Sequence, residues 1–112
     1  MSPYPEAFGP FDPENDPDFA IKLIVAVMVA DGHEAMLAAL IDGTGEFETI
    51  EGEPGWVLER RNPSDDWPSG LDFRARVGPE IMASGFPEVF VERSRLEAYL
   101  YAASREAGAR RH

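Results

Sequence analysis

The sequence contains no cysteine and only two histidines, His33 and His112. The absence of cysteine excludes disulfide bonds, thiolate metal sites and a cysteine nucleophile. No second histidine or cysteine lies at zinc-ligand spacing from His33, which stands beside Glu34. We therefore expect no zinc site, and we expect His33 to be a surface residue at the start of a helix.

Motifs for catalysis and for nucleotide binding are missing as well. Gly43 and Gly45 lack the third glycine of a dinucleotide fingerprint and do not follow a predicted strand. There is no G-x-S-x-G nucleophile motif. Asp65, Asp66 and Asp72 lack the alternating ligands and the closing glutamate of an EF-hand loop, which favours a role in turns. We therefore expect neither an enzyme nor a protein that binds a cofactor or a metal ion.

Long hydrophobic runs are also missing. The longest, from Phe19 to Ala30, has 12 residues and contains Lys22, whereas a membrane-spanning helix needs about 20 residues. The first residues have neither the basic region nor the apolar core of a signal peptide. We expect a cytoplasmic protein that does not bind membranes and that folds as a single domain over residues 1–112.

Positive charge is scarce, because 10 Lys and Arg stand against 21 Asp and Glu, for a net charge of −11. Residues 1–59 hold 13 acids and one basic residue, whereas residues 60–112 hold 8 acids and 9 arginines. We therefore expect the first half of the chain to project a negative field and the second half to be close to neutral. Such a field repels nucleic acid and attracts basic proteins. Acidity that serves only solubility is the alternative.

The first half of the chain predicts an arm and two helices. Residues 1–16 are acidic and rich in proline, so we expect an extended arm held to the body by Tyr4, Phe8 and Phe11. Asp16-Pro17-Asp18 is typical of a helix start, and this helix should run to about residue 30. The apolar, β-branched centre of residues 20–30 also fits a buried strand.

Residues 33–42 predict a second helix, which would form a hairpin with the first. The residues expected on its buried face are Met36, Leu37, Leu40 and Ile41.

From Gly45 onward the hydrophobic period changes to about two, which predicts strands. Residues 46–51, 56–60 and 71–77 alternate, with a turn at residues 52–55 and an irregular loop at residues 62–70. Residues 87–92 predict a fourth strand with apolar residues on both faces. Residues 78–85 have room for a single helical turn.

A last helix follows the fourth strand. Ser94 and Glu97 match the capping-box pattern, and Gly108 is expected to end the helix. Its predicted buried face consists of Leu96, Tyr99, Leu100, Ala103 and Ala107. The elements together predict an α+β domain with an N-terminal helical hairpin, an antiparallel sheet of about four strands and a C-terminal helix packed on the sheet.

Two acidic segments are the candidates for binding a partner. Three acids occur around the first predicted turn, and two more precede a tryptophan in the later loop: Glu48, Glu51, Glu53, Asp65, Asp66 and Trp67. If the first three strands are neighbours, these residues predict an acidic ridge along the sheet. The Trp67 ring would either anchor the partner or fold back on the sheet as a lid.

Four arginines offer a competing, basic surface. Arg74 and Arg76 alternate along the third strand, and Arg60 and Arg61 end the second. They would form a basic stripe, or else they would pair with acids across the strands, and pairing is favoured. The acids expected as partners are Glu46, Glu48 and Asp72.

The chain as a whole resembles a group of small bacterial proteins. The shared features are small size, acidity, no cysteine, a helix-rich front half, a strand meander and a closing strand-to-helix segment from Phe90 to Leu100. The chain is similar to the small acidic immunity proteins of bacterial polymorphic toxin and contact-dependent growth inhibition systems. The resemblance implies a non-catalytic inhibitor of a basic toxin domain, often a nuclease. The alternatives are a phage-encoded nucleic-acid mimic that blocks a DNA-binding enzyme, and a structural protein-interaction module.

Overall fold

The computed structural model describes residues 6–9, 12–46, 48–52, 55–62, 64, 66–78, 85–86 and 88–110. A short 3₁₀ turn at Glu6–Phe8 precedes the regular elements. The helices are α1 (Phe19–Ala30), α2 (Glu34–Asp42) and α3 (Arg93–Arg110). The strands are β1 (Thr49–Gly52), β2 (Trp56–Arg60), β3 (Phe73–Val77) and β4 (Glu88–Val91).

The four strands form one antiparallel meander in the order β1-β2-β3-β4. The two N-terminal helices and the C-terminal helix pack on the sheet, which confirms the predicted α+β architecture. α1 touches β2, β3 and β4 directly, and α3 lies against α1 and α2. None of the described helices has the length and apolar character needed to cross a bilayer.

α1 is the centre of the core. Phe19, Ile21, Ile24, Val25 and Met28 are all at most 1% exposed. They surround the helix because the sheet covers one side of it and the other two helices cover much of the rest. This position explains why residues 20–30 carry so little polar character, and it excludes the strand alternative.

α1 starts two residues later than the expected position at Pro17. The Asp16 carbonyl accepts the Phe19 N–H at 3.1 Å, and the Asp16 carboxylate accepts the Asp18 N–H at 2.9 Å. Pro17 and Asp18 therefore form a turn that leads into the helix instead of its first residues.

α2 follows its prediction closely, with one exception. Leu37, Leu40 and Ile41 are buried, but Met36 is 42% exposed, so its assignment to the buried face is wrong. The helix ends at Gly43, whose φ of 72° is a left-handed conformation that glycine adopts without strain.

The start of α3 corrects the predicted capping box. The helix begins at Arg93, since the Glu92 carbonyl accepts the Leu96 N–H at 3.2 Å, and Ser94 is an exposed residue inside the first turn. The side-chain cap is instead Asp72, which accepts the Arg93 N–H at 3.0 Å. The helix also continues past Gly108 to Arg110, so the predicted glycine stop is wrong.

The buried face of α3 is as predicted. Leu96 and Ala103 are buried, and Tyr99, Leu100 and Ala107 pack against the core while partly exposed. Its contacts with α1 and α2 bring the last helix of the chain against the first two.

Of the three aromatic anchors predicted in the N-terminal arm, the described one is Phe8, in the 3₁₀ turn. Phe8 is 6% exposed, and its ring meets the Tyr99 ring edge-on at 5.4 Å. Lys22 Nζ donates to the Phe8 carbonyl at 3.0 Å. The other predicted anchors, Tyr4 and Phe11, lie outside the described residues, as does most of the helical turn expected at residues 78–85.

β2 has the predicted bounds, whereas the other three strands are shorter than expected, and β4 ends at Val91 instead of residue 92. β1 starts at Thr49 instead of residue 46, and β3 starts at Phe73 instead of residue 71. Phe73 and Ala75 are buried as the alternation predicts. β4 presents Val91 to the core and Phe90 to the opposite face, where the Trp67 ring covers it.

Candidate partner-binding surface

The face of the sheet turned away from the helices carries two of the predicted site residues, Glu51 and Trp67. Strand alternation places eight side chains there, because their neighbours Ile50, Leu58, Ala75 and Val91 are buried on the helix side. The outward residues are Thr49, Glu51, Val57, Glu59, Arg74, Arg76, Glu88 and Phe90.

A compact ion-pair cluster occupies the middle of this outer face. Glu59 lies between Arg74 at 2.7 Å and Arg76 at 2.6 Å, and Arg74 also approaches Glu88 at 3.8 Å. Burial alone would raise the pKa of the Glu59 carboxyl, but hydrogen bonds and charge from the two arginines outweigh it and hold the pKa below its ordinary value. The cluster is therefore charged and paired at neutral pH.

This cluster settles what the arginines of the third strand do. Arg74 and Arg76 are ion-paired, as expected, although their partners are Glu59 and Glu88 and not the acids predicted from the sequence. Arg60 does not join them, because it points to the helix side and donates to the Leu40 carbonyl at 3.3 Å. The four arginines therefore do not form one basic stripe.

Trp67 lies on the outer face as a lid. Its ring meets the Phe90 ring edge-on at 5.4 Å, and the Arg74 guanidinium lies 5.4 Å from the Trp67 ring centre. The ring is half-buried. Of the two predicted roles, the lid therefore describes its place in the free protein, and the exposed part of the ring remains open to contact.

The predicted ridge is not a continuous acidic surface. Glu51 stands on β1, while Trp67 rests on β4, about 14 Å away across three strand spacings. Arg74 and Arg76 lie between the two segments. Glu48 and Asp66 are exposed, whereas Glu53 and Asp65 lie outside the described residues.

The acidic first half and the neutral second half of the chain do not form separate surfaces. α3 lies against α1 and α2, where Arg93 pairs with Asp42 at 2.9 Å and Arg95 pairs with Asp18 at 3.3 Å. Tyr99 also donates its O–H to Asp18. The acidic and the nearly neutral half of the sequence are therefore not separate regions of the folded protein, because arginines of α3 pair with acids of α2 and of the turn before α1.

Three exposed acids lie in β1, an edge strand of the sheet, and in the residues just before it. Glu46, Glu48 and Glu51 are all exposed and follow one another into and along this edge strand. Within the described part of the chain none of the three forms an ion pair. They form what we call the acidic edge.

A small cleft with arginines lies near the ends of β2 and β3. It encloses about 340 Å³ and is lined by Arg60, Arg61, Asn62, Asp72 and Arg93, with Ile41 and Phe73 at its base. Arg60 is engaged with the end of α2, and Arg93 with Asp42. Two of its three cations therefore stabilise helix ends.

Side chains suited to catalysis or to metal binding do not come together in the described ranges. His33 is exposed at the start of α2. Asp72 caps α3, while Asp66 stands exposed in the loop. Among the residues that the structure covers, no group of three His, Asp or Glu is placed to hold a metal ion.

No protein-family model matches this chain, and no curated protein or solved structure matches it.

Proposed function

We propose that the chain is a non-catalytic immunity protein that binds and neutralises a cognate basic toxin domain, of the kind that is often a nuclease. The observation that carries the proposal is the acidic edge. Other exposed acids, such as Glu14 and Asp31, also lack an ion pair among the described residues, but Glu46, Glu48 and Glu51 follow one another in and just before a single edge strand.

Unpaired acids on one edge have a physical consequence. Their mutual repulsion opposes folding slightly, while their combined field attracts a basic surface before contact. The net charge of −11 adds a long-range component to the same attraction. Association with a basic partner is therefore expected to be fast and to slow as salt screens the field.

Tight binding requires buried contacts in addition to charge. Trp67 supplies one candidate, since its half-buried ring is already held by Phe90 and Arg74. A ring that is ordered before binding loses little conformational freedom in the complex. Asp66 beside it is exposed and adds a negative charge to the rim.

The nucleic-acid mimic is the second candidate, and the outer face gives a reason to rank it lower. A mimic of a duplex should present acids in a regular double row. Here Arg74 and Arg76 occupy the middle of the outer face, paired with Glu59. The net charge alone favours this alternative.

Growth rescue tests the proposal. The toxin domain encoded immediately upstream of this chain's gene is induced in bacteria with and without the chain. We expect arrest of growth by that domain alone and normal growth with the chain. The proposal is contradicted if the upstream product is harmless, or if it arrests growth equally in the presence of the chain.

A matched pair of variants locates the surface in the same assay. Glu48→Lys/Glu51→Lys reverses two charges of the acidic edge, and Glu14→Lys/Asp31→Lys reverses two exposed acids outside it. Both variants change the net charge by the same amount. Loss of rescue is expected only in the first.

A further inference from the structure

We propose that the partner docks by adding an extended basic segment to β1, as a fifth strand of the sheet. This inference rests on the proposed function, and it specifies how the acidic edge would be used. It is argued from three observations: which main-chain groups of β1 are not bonded to β2, what lies against the opposite edge of the sheet, and the negative charge of the side chains along β1.

β1 is the terminal strand of the sheet, and its hydrogen-bond phase can be read from its pairing with β2. The Arg60 N–H donates to the Glu48 carbonyl at 2.8 Å, and the register places Ile50 opposite Leu58 and Gly52 opposite Trp56. In an antiparallel pair, hydrogen-bonded residues alternate with residues whose main-chain groups point away. Thr49 and Glu51 therefore direct their N–H and C=O groups to the open side.

Near the opposite edge of the sheet, the N-terminal arm contacts the chain that leads into β4. The Gly85 N–H, just before β4, donates to the Pro13 carbonyl at 2.8 Å. A Cβ at Gly85 would meet the Glu14 carbonyl oxygen at 2.4 Å. The N-terminal arm therefore lies against the chain three residues before β4, whereas Thr49 and Glu51 on the edge strand β1 are exposed.

Charge decides which kind of strand fits β1. Proteins commonly protect edge strands with lysine, proline or a bulge, but the described residues of β1 and its approach carry Glu46, Glu48 and Glu51. A second copy of this chain would bring an equally acidic edge alongside the first, and like charges on neighbouring strands are unfavourable. A strand with lysine or arginine removes this repulsion.

The pleat of the sheet also specifies the pattern of the incoming strand. Residues that pair with Thr49 and Glu51 lie on the outer face, where a basic side chain reaches Glu51. The residue between them lies beside Ile50, which is 7% exposed at the border of the core. The fitting segment therefore alternates basic and apolar residues.

A synthetic peptide tests this geometry without the toxin. The probe is a short peptide of alternating valine and lysine, and two controls carry N-methyl groups either on every lysine or on every valine. All three have the same charge. In an antiparallel addition the lysines pair with Thr49 and Glu51 and exchange hydrogen bonds with them. We therefore expect methylation of the lysine amides to weaken binding by about tenfold or more, while methylated valines leave it nearly unchanged.

Hydrogen exchange identifies the edge directly. The amides of Thr49 and Glu51 should become protected when the unmodified peptide binds. Equal affinities of the three peptides, or absent protection at both amides, would overturn strand addition, since binding would then be electrostatic only.

A variant of the chain keeps the two proposals distinguishable. Thr49→Pro removes an N–H that makes no hydrogen bond to β2, although the ring also fixes the local φ, and Thr49→Val keeps that N–H while removing the hydroxyl. We expect the proline variant alone to lose rescue in the growth assay and to lose peptide binding. Rescue by a folded proline variant would overturn strand addition but leave the immunity function intact. If the wild-type chain fails to rescue while the peptide pattern holds, the edge site stands and the immunity function is wrong.

Discussion

The cap of α3 leads to the sharpest stability prediction. Asp72 at the end of the loop before β3 accepts the Arg93 N–H at 3.0 Å, across 21 residues of sequence. Asp72→Ala removes this acceptor from the helix start, and a lost cap costs about 1 kcal/mol. It also removes a negative charge from the positive end of the helix dipole, which adds about 0.3–1 kcal/mol. We expect a loss of about 1–2 kcal/mol in the free energy of unfolding.

The assay is urea denaturation followed by circular dichroism, with a thermal scan in which Tm should fall by about 4–8 °C. Asp72→Asn is the matched variant, because asparagine retains an acceptor and lacks only the charge, so its loss should stay below about 1 kcal/mol. Ser94→Ala is the second control. Ser94 is exposed inside the helix, so its replacement should leave the midpoint unchanged or raise it slightly. A larger loss for Ser94→Ala than for Asp72→Ala would refute the placement of the helix start.

Three further predictions concern the outer face and the arm. The pKa of Glu59 is held below its ordinary value, so the ionised Glu59 stabilises the fold above its unfolded pKa, and this stabilisation is lost as pH falls through its folded pKa. Glu59→Gln should therefore reduce the loss of stability at acid pH. An unchanged loss would contradict the paired cluster. Tyr99→Phe removes the O–H that Asp18 accepts but keeps the ring against Phe8, so we expect a loss of about 1–3 kcal/mol in the free energy of unfolding, measured by urea denaturation. Burial, the hydrogen bond and the Asp18 charge also raise the pKa of Tyr99. Titration of this tyrosine's absorbance at its usual alkaline pH would contradict the contact with Asp18. Trp67→Ala should lower the free energy of unfolding by about 1 kcal/mol through the lost ring pair with Phe90. Trp67→Phe should retain most of the contribution of that ring pair. Equal stability of wild type and Trp67→Ala would mean that the Trp67 ring does not cover Phe90 in solution.

Most of the fold follows from local patterns in the sequence. The change of period near Gly45 predicts the strands, and β2 has the predicted bounds. The apolar stripe of α3 predicts its buried face. These signals are visible because each depends on residues within a few positions of one another.

The errors arise where a distant residue decides the outcome. The Ser94 capping pattern competes with Asp72, which only the folded sheet brings to the helix start. The exposure of Met36 depends on which part of α2 the neighbouring helix covers. In both cases a correct local pattern is overridden by tertiary contacts.

The candidate site was harder to predict than the fold. Glu48 and Glu51 are exposed as expected, but strand order separates them from Trp67 and places Arg74 and Arg76 between. The pairing of Arg93 and Arg95 with acids of the first two helices is also invisible in a count of charges along the chain. The acidic edge is recognised only from the strand order, which places β1 at the border of the sheet.

The association rate of the purified chain with the product of the gene immediately upstream, measured at two ionic strengths, is the most direct test of binding to a basic toxin. We predict a one-to-one complex that forms fast at low salt and more slowly at high salt. Charge reversal at Glu48 and Glu51 should slow association and flatten its salt dependence, whereas Trp67→Ala should speed dissociation, with a loss of at least about 2 kcal/mol if the ring is buried in the complex. Absence of a complex, or rates that neither salt nor these substitutions alter in folded variants, would contradict binding through the acidic edge.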